Sequence, residues 1–183
     1  MKGIVFSEFM ELVENTFGED MLDDIIEDCE SDLSTGGAYT SVGTYDHQEL
    51  VQMVVALSKR SGVEVPALIK TFGGHLAVAF ASKFPQFFEE CSSSFEFFKK
   101  IDDHIHVEVH KLHPDAELPK FRYEQFSDSD FRLIYESSRH FADLAEGLLE
   151  GVAKYYQETI QIEKEDFSTE DKSHVVFYIT KQD

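Results

Sequence analysis

The sequence predicts an α+β fold: a helical N-terminal half, then a C-terminal half with a four-stranded antiparallel sheet and packed helices. Three observations predict it. Apolar residues recur at helical spacing from Val5 to Leu112. The last third instead alternates apolar and polar residues in four short runs, 121–126, 131–135, 159–163 and 175–179. A single helical run, 141–156, lies between the two hairpins those strands make.

Val5, Phe9, Leu12 and Val13 form one face of the first helix, which Gly18 ends. Residues 21–29 carry a second, short amphipathic pattern, and the Ser/Thr/Gly-rich run 31–43 reads as a loop. Asp46 is the expected N-cap of the next helix, with Glu49 three residues on completing a capping box and Gly62 closing it. Pro66 suits the first turn of the helix after that. Gly73 and Gly74 then cost about 2 kcal/mol relative to alanine in a helix interior. They mark a break between two helices, a bend, or a close approach by something bulky. Ser93 or Ser94 caps the next helix. Residues 97–112 fit a helical stripe through Phe98, Ile101, Ile105, Val109 and Leu112, although Ile105, Val107 and Val109 also alternate as in a strand. Length favours helix, and Pro114 ends it. In the sheet half, residues 127–130 turn the first hairpin and 168–173 the second. Leu144, Leu148, Val152 and Tyr155 share one face of the intervening helix.

Composition bounds the function. The chain has 183 residues, 42% of them hydrophobic, enough for one domain with a sizeable core. Its 17 Phe and no Trp imply a core of aromatic rings that would also accept a large flat apolar ligand. A net charge of −20 repels nucleic acid and anionic lipid and favours a protein partner with a basic face. Cys29 and Cys91 form no C-x-x-C pair, which argues against a disulfide framework or a Cys-rich zinc site and fits a reducing compartment. The N-terminus has no signal-peptide pattern, and no apolar run approaches the roughly 18 residues that span a bilayer. A cytoplasmic protein is expected, binding neither nucleic acid nor membrane.

Two stretches carry chemistry. His104, His106, His110 and His113 are four of the eight histidines and fall within residues 104–113. Neutral imidazole is a strong ligand for iron, zinc, copper and nickel. Further on stand Tyr135, Ser137 and Arg139. If all three extend a strand, they point the same way and span about 13 Å. Two hydroxyls and a guanidinium in a row would receive a carboxylate, or a pair of them.

Y-x-S-x-R, following a helical histidine and P-x-F, resembles the haem-nitric oxide/oxygen binding (H-NOX) family, in its stand-alone bacterial form. The resemblance runs over essentially the whole chain, from the MKG start to the final hairpin. It implies one domain over 1–183, in which 1–62 is the N-terminal helical part and 63–183 cradles a haem b between helices and sheet. It implies that Tyr135, Ser137 and Arg139 hold the haem propionates. The family's axial histidine lies thirteen residues before the proline of P-x-F, which here is Pro119, so the count reaches His106. His104 is the reserve; two residues away, it would sit about 200° round an α-helix. Pro119 and Val5 are implied to press on the porphyrin.

Oxygen-binding relatives place a tyrosine nine residues after the Tyr of Y-x-S-x-R, which here is Leu144. Its polar supports would fall at Phe9 and Leu76. An apolar distal pocket of these three implies a sensor that takes NO, and also CO, while excluding O2. The resemblance further implies that NO weakens the bond from iron to histidine, that the His106 helix relaxes, and that the signal passes to a separate histidine kinase or cyclic-di-GMP enzyme. No catalytic residues are expected. The alternative from a different class reads His104, His106 and Glu108 as a strand-borne metal cluster of a cupin-like mononuclear oxygenase. A metal-free acidic interaction domain is a further rival.

Overall fold

Sheet order is set by which hairpin strands find each other. In a computed structural model, which describes residues 1–182, β1 (Lys120–Gln125) pairs with β2 (Asp130–Ser137), and β3 (Thr159–Asp166) pairs with β4 (Ser173–Gln182). The hairpins join through β2 and β4, giving one antiparallel sheet in the order β1-β2-β4-β3. Register aligns Phe131 with Ile179, Leu133 with Phe177 and Tyr135 with Val175. All six are buried, so the period-2 pattern places one continuous apolar face against the helices.

The helices come first along the chain: α1 (Gly3–Phe17), α2 (Glu19–Asp28), α3 (His47–Ser61), α4 (Val65–Lys83), α5 (Pro85–Glu89), α6 (Ser94–Lys100) and α7 (His106–Leu112). A π-helical turn, Ile101–Ile105, joins α6 to α7, and α8 (Ala142–Tyr155) lies between the hairpins. The α+β class and its four-stranded antiparallel sheet are as predicted. The stretch 97–112 is helical throughout, though as two short α-helices with a wide turn between them.

Gly73 and Gly74 do not break the chain into two helices; α4 continues through them. A Cβ at Gly73 would stand 2.3 Å from the Leu144 carbonyl oxygen of α8, and one at Gly147 would stand 1.9 Å from the Lys70 carbonyl oxygen of α4. The helix backbones touch where side chains are missing, so the close approach was the correct reading. Helix α4 is also, by length and mean hydropathy (1.2), the one helix among the described residues apolar enough to cross a bilayer, contrary to the sequence reading. Its place as a packed helix against α8 accounts for that composition.

Asp46 caps α3 as expected, accepting the Gln48 N–H at 3.0 Å, and Gly62 closes it in the left-handed region. The capping box with Glu49 does not form. Glu49 is 5% exposed, and its carboxylate takes the Ser34 and Tyr39 hydroxyls, each at 2.7 Å. It anchors the 31–45 loop instead. Tyr39 stacks on Phe6 at 4.4 Å, and the Met1 amine donates to the Tyr45 carbonyl at 2.6 Å, so the loop and the N-terminus close one end of the helical cluster. Tyr155 does not share the buried face of α8; it is exposed, with its ring edge-on to Phe88.

Gly147→Ala should cost roughly 1–3 kcal/mol or more, because the clash is with backbone and cannot be relieved by a rotamer change. Gly74→Ala, whose Cβ would meet nothing nearer than 3.9 Å, should be neutral or stabilising by up to about 1 kcal/mol. Thermal unfolding of the two variants measures the contrast. Glu136 on β2 bonds Lys172, His174 and Arg122, and the Lys172 bond leads in lowering its pKa to about 2. A carboxylate depressed in the fold stabilises it above its unfolded pKa, and that contribution is lost as pH falls. Parent protein should therefore lose more stability than Glu136→Gln between pH 4.5 and about 2, read from urea midpoints.

Candidate functional site

The π turn decides where the histidines face. It carries the backbone N–H of His106 back to the Ile101 carbonyl, one residue further than an α-helix would. Ile101 and Ile105 pack against the sheet-side core, beside Phe98 and Phe97. His106 follows with its side chain only 16% exposed, whereas His104 is 42% exposed and turns away to Glu90 at 3.2 Å and the edge of Phe87. His110 is exposed and His113 half-buried. The two residues weighed as a metal ligand are thus separated by burial and by partner.

His106 Nδ1–H donates to Asp102 Oδ1 at 3.3 Å, which leaves Nε2 for another partner. Burial is the main influence on its titration and lowers its pKa; the Asp102 bond and the Pro119 carbonyl oppose that. The net effect favours the neutral imidazole, the form that ligates metals. The His106 ring lies 5.8 Å from Phe121, and Phe121 lies 5.6 Å from Tyr135. A run of rings therefore connects the histidine helix to the Tyr-Ser-Arg motif, two stretches that the sequence could place only separately.

That motif is not a straight row. Strand β2 ends at Ser137, and residues 138–139 bend. Ser137 Oγ accepts the Arg139 N–H at 3.0 Å, and the Tyr135 hydroxyl donates to the Arg139 carbonyl at 3.3 Å. The bend draws all three residues to one place rather than along 13 Å of strand, because the hydroxyls bond the turn's own backbone. Burial raises the Tyr135 pKa, so its hydroxyl stays protonated as a donor. The Arg139 side chain is 13% exposed and pairs with the carboxylate of Glu117, itself 72% exposed and free to swing away. This largely covered guanidinium is already engaged by a carboxylate, which is the chemistry of a propionate partner.

On the other side, Phe9 of α1, Leu76 of α4 and Leu144 of α8 are all buried in one apolar cluster, with Phe72 edge-on to Phe9 at 5.4 Å and Val5 packed against it. Pro119 is half-buried. The neighbouring polar side chains satisfy one another: Glu8 is buried and meets His75 at 3.3 Å and Lys83 at 2.5 Å.

The cupin-like reading fails on geometry. His104 is in the π turn, and His106 and Glu108 are on a helix, so they do not share a strand face. Glu108 pairs with Lys111 at 2.6 Å, and no three acidic, His or Cys side chains converge as a metal site among the described residues. Sequence reasoning missed Asp102, Glu117 and the Glu8 cluster. Only Asp102 had a signal: a carboxylate four residues before a histidine on a helix.

A family model described as Haem-NO-binding matches residues 2–164. No curated protein matches the chain. Among solved structures, the chain is similar to the Fe(II) unliganded H-NOX protein from K. algicida at 35% identity and a TM-score of 0.92, over 100% of this chain and 97% of that one. It is similar to the IWP-051-bound H-NOX from Shewanella woodyi in the Fe(II)CO state at 47% identity and a TM-score of 0.84, covering 100% and 95%. For an H-NOX protein from S. oneidensis in the Fe(II)NO state the identity is 27%, the TM-score 0.88 and the coverage 100% of both.

Proposed function

Because this chain belongs to the haem-NO-binding family, whose members are haem-based gas sensors rather than enzymes, we propose that it senses nitric oxide, excludes O2, and regulates a separate signalling protein. Haem is its cofactor. The residues present fit that group. His106 would hold the iron through Nε2, since Asp102 occupies Nδ1. Arg139, with Tyr135 and Ser137, would hold the propionates, exchanging the exposed Glu117 carboxylate for a propionate. Pro119 and Val5 would pack against the ring. Bound there, haem would supply a ferrous iron able to take up a diatomic gas.

The observation that carries the choice of gas is the distal cluster. Phe9, Leu76 and Leu144 are buried together, and none of the three side chains carries a hydrogen-bond donor. Retaining O2 on ferrous haem depends on such a donor; NO and CO depend on one far less. Relatives with NO and with CO support both gases as ligands here.

His106 is the moving part. Helix α7 has no buried residue, so little packing opposes a shift that starts at its first residue. Release of the imidazole would let α7 relax against the sheet and carry the segment leading to Pro119 with it. The recipient is a histidine kinase or a cyclic-di-GMP enzyme with a basic docking face. The net charge of −20 supports a partner of that kind.

The test is an absorption spectrum of the reduced, haem-loaded protein in air, then with CO and with NO. The ferrous spectrum should persist in air and change with each of the other gases. A stable O2-induced change contradicts the apolar-pocket argument. His106→Gly should lose the histidine-ligated ferrous spectrum and regain it with added imidazole, whereas His104→Ala should match the parent. The reverse pattern moves the axial ligand to His104.

A further inference from the structure

We propose that Asp102 is the positioning residue of His106 and the link between that histidine and strand β1; this rests on His106 being the axial ligand. One carboxylate oxygen makes both contacts. Asp102 Oδ1 accepts the His106 Nδ1–H at 3.3 Å and the backbone N–H of Phe121 at 3.3 Å. Phe121 lies in β1, the edge strand of the sheet next to β2. An outward N–H on an edge strand has no strand to pair with, and Asp102 satisfies this one.

The π turn makes the double contact possible. Asp102 is its second residue, and the wide turn returns to an α-helix at His106. Turns of this kind occur mostly as single turns within α-helices and are frequent at functional sites. Here the turn directs one carboxylate to the ring one turn ahead and to a strand nineteen residues on.

Three consequences follow for His106. The carboxylate keeps the proton on Nδ1, so Nε2 is the free ligand atom. A charged acceptor on Nδ1–H makes the imidazole a more basic ligand. Movement of the ring also disturbs the oxygen that holds Phe121, and Phe121 packs on Tyr135 of the Tyr-Ser-Arg motif at 5.6 Å. A displacement at the histidine thereby reaches the sheet through one atom.

The experiment uses the full haem-loaded chain as parent, Asp102→Asn, Asp102→Ala and His106→Gly. It measures the iron–histidine stretching frequency of the reduced protein and the amide exchange of Phe121. The frequency should fall in both Asp102 variants, because both lose the charge. Asparagine keeps an acceptor oxygen, so Phe121 should exchange as in the parent in Asp102→Asn and about tenfold faster in Asp102→Ala. Loss of His106 after NO addition should also be about tenfold faster in Asp102→Ala. A parent-like frequency in both variants overturns the proposal, and so does parent-like Phe121 exchange in Asp102→Ala. If the alanine variant does not fold, the frequency in the near-isosteric Asp102→Asn decides. His106→Gly separates the two failures. A histidine stretch that survives in it sinks the axial reading; one lost there but parent-like in the Asp102 variants sinks only the role of Asp102.

Discussion

The backbone contact between α4 and α8 is the constraint on which the rest depends. Gly73 and Gly147 let the two helices approach more closely than any Cβ would permit, and Gly151 continues the contact against Gly74 and Ala77. Buried residues on either side of this crossing divide into two apolar clusters. Leu76 and Leu144 belong to the helical cluster, while their chain neighbours Ala77 and Ala145 belong to the sheet-side cluster. The crossing is therefore a seam, with the distal candidates on one side and the surroundings of His106 and Tyr135 on the other. Any change in the spacing of α4 and α8 would move both sets of residues at once.

Against this firm seam the histidine segment is lightly held. The core face of the sheet buries Phe131, Leu133, Tyr135, Val175, Phe177 and Ile179, and α6 buries Phe95, Phe97 and Phe98. Helix α7 buries nothing fully. A helix with few buried contacts shifts at low cost, while its rigid neighbours give the shift something to act against. Polar groups near the site are paired before any ligand is considered: Asp102 with His106 and Phe121, Glu117 with Arg139, Glu8 with His75 and Lys83. Such pairing keeps buried charge from destabilising the fold and leaves the exposed partner, Glu117, as the one that can be exchanged.

Legibility in the sequence varied with the range of the interaction. The helices, the two hairpins and the caps at Asp46, Gly62 and Ser93 were readable because periodicity and turn chemistry act over a few residues. Glu49 looked like half of a capping box, yet its carboxylate serves Ser34 and Tyr39 in a loop that precedes the helix. Gly73 and Gly74 looked as much like a break as a contact, since nothing local distinguishes a missing side chain that admits a neighbour from one that ends a helix. Tyr135, Ser137 and Arg139 do come together, but the strand stops at Ser137 and the row becomes a bend.

What the sequence determined by itself was the α+β class, the order of helices and strands, and, through its resemblance, the family and its haem. These rest on local spacing and on motif residues that can be counted along the chain. Only the tertiary structure decided that α4 runs unbroken against α8, that the His106 side chain is the more enclosed of the two histidines weighed, and that Asp102 and Phe121 join the histidine to the sheet. The physical reason is common to all three. Each depends on a surface supplied by a distant part of the chain, and burial, like a hydrogen bond, has no meaning until that surface is in place.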